Sequence, residues 1–141
     1  RGLYGWDDYL AVEREIERQL AAQGATLDAV AACPFHPDFT PEWTANHAYW
    51  RKPGPGMVVL LGERLGLDLT RTWLIGDHVT DVGAARAAGL PGAVHVRTGH
   101  GRIYRRQAVA LGTAAFRVVA ARDMVVAFGE LSRLKALGAS N

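Results

Sequence analysis

The segment TWLIGDHVTDVGAARAAGLPGAVHVRTG, residues 72–99, constrains the fold more than any other stretch of the chain. A short apolar run, TRTWLIGD, reads as a strand, and an Ala-rich run, TDVGAARAAGL, reads as a helix with Thr80 as a candidate cap and Gly89 as its stop. A second apolar run, GAVHVRTG over 92–99, reads as another strand. Strands separated by a helix of this length make parallel β-α-β units, so the chain belongs to the α/β class. The 141 residues suffice for one domain spanning 1–141, and an apolar fraction of 49% supplies its core.

The remaining elements fit this frame. GWDDYLAVEREIERQLAAQG reads as a first helix, with Leu10, Val12, Ile16 and Leu20 near helical spacing. LDAVAAC, 27–33, is an apolar run of strand length, although periodicity alone does not separate strand from helix there. Residues 34–56 carry five prolines and read as a long loop, the kind that holds a function or a metal. MVVLLGERLGL is a helix entered through Pro55-Gly56, AFRVV at 115–119 a short third strand, and RDMVVAFGELSRLKALG a closing amphipathic helix.

Two features carry chemistry. Ligands of open parallel sheets bind beyond the carboxyl ends of the strands. Asp77 stands at such an end, and Gly76 lets the backbone turn there. Asp81 lies one helical turn further on, so both acids can face one point, as hard oxygen ligands suited to Mg²⁺. Asp81 also suits a plainer role, capping or solvating the first turn. The second feature is RKPGPGM, 51–57, where Lys52 is held before a rigid turn. A lysine there suits a phosphoryl oxygen, and Arg51 offers a planar fork to a second anionic group. Alone the pair is an ordinary basic loop. One helix before Gly76-Asp77, it becomes a candidate phosphate site.

RKPGPGM, WLIGDHVTDVGAARAAGL and VHVRTGHG together resemble the second half of a haloacid-dehalogenase (HAD) phosphatase, in the heptose-bisphosphate and histidinol-phosphate branch. The resemblance implies a Rossmann-like HAD fold, a parallel sheet flanked by helices. It implies Mg²⁺-dependent hydrolysis of a phosphate monoester of a small metabolite, such as a heptose 1,7-bisphosphate. By the same resemblance Lys52 binds the transferring phosphoryl group and Asp77 ligates Mg²⁺. Asp81 supports that site, and Arg51 contacts substrate. His78 stands where this branch often has a substrate-reaching lysine, and a histidine is shorter and titrates near neutrality.

The sequence departs from the family pattern twice. The Asp-x-Asp nucleophile after a first strand is absent, and RGLY matches the stretch that follows the family's second strand. The chain is therefore expected to be the C-terminal portion of the domain, lacking the first strands, and inactive alone. Arg1 in place of Met agrees with that expectation. In the branch's zinc loop, Cys33 remains, but His36 is one place from the usual ligand position and Ala48-Tyr49-Trp50 replace the later Cys-x-Cys. The expectation is a degenerate remnant filled by Trp43, Tyr49 and Trp50. A three-ligand site of Cys33, His36 and His47 is the alternative.

Other classes fare less well. A net charge of +2 argues against nucleic-acid binding by bulk electrostatics, and Arg102, Arg105 and Arg106 read as a solvated local cluster. No apolar run approaches a membrane span, and one cysteine forms no internal disulfide, so the chain reads as cytoplasmic. RTGHG, 97–101, is a weak phosphate-cradle signal, and His95 reads as a strand residue. The rival reading is a non-catalytic domain of the same scaffold that binds a phosphorylated ligand or a protein.

Overall fold

The computed structural model describes residues 2–138. Arg1, the first residue of RGLY, lies outside them. Along the chain run α1 (Trp6–Ala21), α2 (Ala45–Trp50), α3 (Gly56–Leu65), a 3₁₀ turn (Leu69–Arg71), β1 (Trp73–Gly76), α4 (Val79–Ala87), β2 (Gly92–Val96), α5 (Gly101–Ala110), β3 (Arg117–Ala121) and α6 (Met124–Gly138).

The strands form one parallel sheet in the order β1-β2-β3, with Trp73 opposite Gly92 and Gly92 opposite Arg117. Every residue of the central strand is buried, as a parallel strand covered on both faces requires. Alternation splits its side chains between two cores. Ala93 faces Val82 and Ala85 of α4, Ala108 of α5, and Leu90 and Phe116 from the connections that follow these helices. Val94 and Val96 face Ala121 and Ala127, below α6. Both β-α-β crossovers lay their helices on one face, and α6 returns across the other. Val94→Ala removes two fully buried methyl groups and is expected to cost about 2 kcal/mol, read as a lower urea midpoint with an unchanged m-value.

Several expectations are corrected. LDAVAAC is not a strand: residues 27–33 pair with no neighbour among the described residues, and Leu27 and Val30 are exposed. Its length is that of a strand, but a strand needs a partner edge. The long loop contains α2, entered at Thr44. Helix α4 is capped by His78 rather than Thr80, because the His78 ring Nδ1 accepts the Thr80 N–H at 3.1 Å. The segment carrying Arg102, Arg105 and Arg106 is a helix, α5, rather than only a solvated basic cluster. The amphipathic α1 forms where expected, yet none of its residues is buried, and Leu10, Val12 and Ile16 are exposed. No helix among the described residues is long and apolar enough to cross a membrane.

Candidate active site

Strand β1 delivers Asp77 to the carboxyl rim of the sheet, and α4 begins two residues later. The approach between strand and helix is close enough to require Gly76: a Cβ there would run into the carboxylate of Asp81. Gly76→Ala is therefore expected to cost about 1–3 kcal/mol and to dislodge Asp81, seen as a lower melting temperature together with lost activity.

Asp81 is the hub of the rim. Its side chain is only 7% exposed, and its Oδ1 accepts from Lys52 Nζ at 2.6 Å. Its Oδ2 accepts the backbone N–H of His78 at 2.9 Å. With both oxygens occupied, Asp81 acts as a positioning group. It caps α4 and holds the lysine beside the residue that follows Asp77. Lys52 comes from the turn 29 positions earlier in sequence, and its side chain remains 45% exposed. The amine is thus steered by one buried anion while still open to a ligand, and it lies at the same rim as Asp77.

Asp77 is held from the other side. The loop after β2 turns at Gly99, whose φ is +56°, and a Cβ there would meet the Asp77 carboxylate. The next residue, His100, donates its backbone N–H to Asp77 Oδ2 at 2.7 Å. That bond, first among several causes and against the opposing effect of burial, holds the Asp77 carboxyl below the usual carboxylate range. The loop itself is tied down by His95, which is fully buried and whose Nε2–H donates to the Gly101 carbonyl at 3.0 Å. RTGHG therefore spends a backbone amide on Asp77. The clamp between positions 77 and 100 had no signal beyond two glycines after a strand.

The other candidates are placed differently. Arg51 donates through Nη1 to the Phe35 carbonyl at 2.6 Å, bracing the long loop, and lines a cleft of about 470 Å³ with Tyr4, Trp6, Cys33 and His36. His78 serves as the α4 cap, and its ring lies 3.8 Å from that of Tyr104, a contact the sequence did not suggest. In the long loop, the His36 Nδ1 accepts the Asp38 N–H and the His47 Nδ1 accepts the Thr44 N–H. His47 packs at 4.4 Å on Phe35 and at 5.6 Å on Trp43, while Tyr49 meets Trp50 edge-on. Cys33 is a free thiol. Among the described residues no group of three His, Cys, Asp or Glu side chains is arranged to hold a metal ion. Asp77 is the residue fitted to contribute one hard oxygen ligand, its carboxylate 34% exposed at the rim.

The profile of the HAD-hydrolase-like family matches residues 49–122. A D-glycero-beta-D-manno-heptose-1,7-bisphosphate 7-phosphatase of Rhodopseudomonas palustris is 42% identical over 92 residues, 65% of this chain and 51% of that protein. The enzyme of the same description from Photorhabdus laumondii is 36% identical over 99 residues, 70% of this chain and 53% of that protein. The chain spans about half the length of these curated relatives. In three dimensions it superposes on a D,D-heptose 1,7-bisphosphate phosphatase from B. bronchiseptica, solved with magnesium and phosphate. The TM-score is 0.73 at 30% identity, covering 94% of this chain and 68% of that one. The matched span contains Lys52, Asp77 and Asp81 together with all three strands, so fold and rim residues point the same way. The chain belongs to the HAD-hydrolase-like family.

Proposed function

We propose that this chain supplies the phosphate-receiving half of a phosphomonoesterase acting on a small sugar bisphosphate, a heptose 1,7-bisphosphate above all. The observation that carries the reading is the convergence of Lys52, Asp81 and Asp77 at the carboxyl rim beyond β1. The names of the relatives support the substrate class.

The chemistry follows from the charges. A phosphoryl group in transfer spreads negative charge over its oxygens, and preorganised cations stabilise it. Lys52 Nζ, half exposed and oriented by Asp81, turns its remaining N–H groups toward such an oxygen. Asp77 would hold Mg²⁺ through its carboxylate, whose anionic form the His100 amide stabilises further. The Mg²⁺ ion, when bound, supplies further neutralisation of the phosphoryl oxygens. Arg51 and His78, the sequence neighbours of Lys52 and Asp77, are the residues we assign to the sugar end of the substrate. The attacking group is an aspartate outside these residues. Its carboxylate oxygen bonds to phosphorus as the P–O bond to the sugar breaks, a second acid outside these residues protonates the departing oxygen, and water then hydrolyses the acyl phosphate. Strand β1 pairs on one side only among the described residues, and its open edge is where we place the strand bearing that aspartate. The enzyme works in the cytoplasm.

The test is phosphate release from sugar bisphosphates by the protein expressed from its complete reading frame, beside the 141-residue chain alone. Release by the complete protein, abolished by EDTA and restored by Mg²⁺, is the expected result, with none from the 141 residues. Release by the short chain that disappears on Asp77→Ala would overturn the placement of the nucleophile. Ligand binding without turnover by the complete protein would favour a binding module.

A further inference from the structure

His95 is out of place by the rules that built the sheet. It stands within β2, between Val94 and Val96, and is fully buried. A central parallel strand covered on both faces is filled by apolar side chains. His95 instead carries two polar ring nitrogens into the core, on the same face as Ala93. Only one of them is satisfied. Nε2–H donates to the Gly101 carbonyl at 3.0 Å, while Nδ1 has no hydrogen-bond partner among the described residues. A buried nitrogen without a partner is destabilising by its lost hydration. A leucine would fill the position without that penalty, so packing does not account for the residue.

The group it holds does. Gly101 opens α5 and lies so close to β2 that a Cβ there would strike the Val96 carbonyl. Its N–H closes a turn back to the Thr98 carbonyl at 2.9 Å. That bond sets the shape of the turn but not its place against the sheet. The His95 imidazole supplies a restraint from strand to turn. One residue before Gly101 is the His100 N–H, which donates to Asp77 Oδ2 at 2.7 Å. The other end of the path is equally short, because His95 lies directly opposite Gly76, the residue before Asp77. A closed circuit therefore runs from β1 to β2, through the imidazole to Gly101, and through the His100 amide back to Asp77.

We infer that His95 is a positioning residue of the candidate active site: by holding the Gly101 carbonyl it keeps the His100 N–H on Asp77 Oδ2 and so fixes the orientation of the carboxylate. The inference rests on the proposed function for the use made of that carboxylate, but the restraint itself is measurable without metal or substrate. His95 acts through the loop and touches neither metal nor phosphate. A residue kept for packing alone would leave the His100 amide and the metal affinity unmoved when replaced by leucine.

The experiment compares the complete protein with its His95→Leu, His95→Gln and His95→Asn variants. Leucine removes the donor. The glutamine amide nitrogen reaches as far as Nε2 and can donate to the same carbonyl, whereas the asparagine side chain is one carbon shorter. Three quantities are read: exchange of the His100 amide by NMR in the metal-free protein, Mn²⁺ affinity without substrate, and kcat and KM on a sugar bisphosphate. In His95→Leu the amide is expected to exchange about tenfold faster. Mn²⁺ affinity and kcat should each fall about tenfold, with KM nearly unchanged and the melting temperature no lower than that of the parent. His95→Gln should return all three quantities most of the way to the parent values, and His95→Asn should not. If His95→Leu fails to fold, the contrast between His95→Gln and His95→Asn reads the same restraint. Parental exchange and Mn²⁺ affinity in the Leu and Asn variants, or a Gln variant no better than the Asn variant, would overturn the inference. If the parent neither binds Mn²⁺ nor releases phosphate while His100 exchange follows this pattern, the phosphatase reading falls and the restraint on Asp77 stands. If the parent turns over a sugar bisphosphate and His95→Leu matches it in Mn²⁺ affinity and kcat, the inference falls and the phosphatase reading stands.

Discussion

Asp77→Asn in the complete protein is expected to lower kcat/KM on a sugar bisphosphate by about 10³-fold and to lower the melting temperature at neutral pH modestly. The amide keeps the shape of the side chain, and its oxygen can still accept the His100 N–H. What it loses is the negative charge, and with it the hard ligand that the proposed function assigns to Mg²⁺. The substitution therefore separates charge from geometry, which Asp77→Ala does not. A decrease below tenfold, with the Mg²⁺ dependence unaltered, would remove Asp77 from the site.

The same substitution has a consequence for pH. The folded protein holds the Asp77 carboxyl below its ordinary value, chiefly through the His100 amide. A carboxyl lowered in this way contributes stability above its unfolded pKa, about 3.9. That contribution is lost as pH falls through the lowered folded value. The Asn variant lacks this contribution, so its stability should fall less steeply than that of the parent as pH drops below about 4. Paired urea titrations at neutral pH and in acid measure the difference.

Lys52→Met is expected to lower kcat/KM by about 10²–10³-fold and, unlike Asp77→Asn, to destabilise the fold by about 1–3 kcal/mol. The lysine has two tasks. Toward the interior it is the cationic partner of Asp81, and in the proposed reading it presents an ammonium to the phosphoryl group on its solvent side. Methionine has similar length and no charge, so it leaves a carboxylate that is 7% exposed with only the His78 amide. Because the lysine itself is half exposed, water screens part of the pair and the loss stays below that of a fully buried ion pair. Lys52→Met combined with Asp81→Leu should recover stability without recovering activity. Recovery of both would mean that Lys52 serves the fold alone.

How far the sequence revealed these features depended on the range of the interaction. The β1-α4-β2 unit was legible because its signals are local: an apolar run, a glycine, an acid, and an alanine-rich helix. The roles of Lys52 and Asp77 came from their spacing and from a family resemblance, but the ion pair between Lys52 and Asp81 did not. It joins positions 29 apart, and no local pattern marks such a contact. Helix α5 is not legible in the sequence because its buried face consists of Gly101 and Ala108. Small residues let a helix lie close to a sheet but leave no apolar stripe to read. LDAVAAC misled in the opposite direction. It is an apolar run of strand length, and only the position of neighbouring strands decides whether such a run pairs. His78 took the cap from Thr80 because an imidazole nitrogen can accept an N–H as a hydroxyl does. The Thr80 hydroxyl itself lies 2.9 Å from that nitrogen.

The most direct measurement is a crystal structure of the complete protein soaked with Mn²⁺ and inorganic phosphate, with the metal identified by its anomalous signal. The account predicts the metal on the Asp77 carboxylate and a phosphate oxygen within hydrogen-bond distance of Lys52 Nζ, the two sharing one pocket. Metal bound away from Asp77, or phosphate seated elsewhere while Lys52 still faces only Asp81, would contradict it.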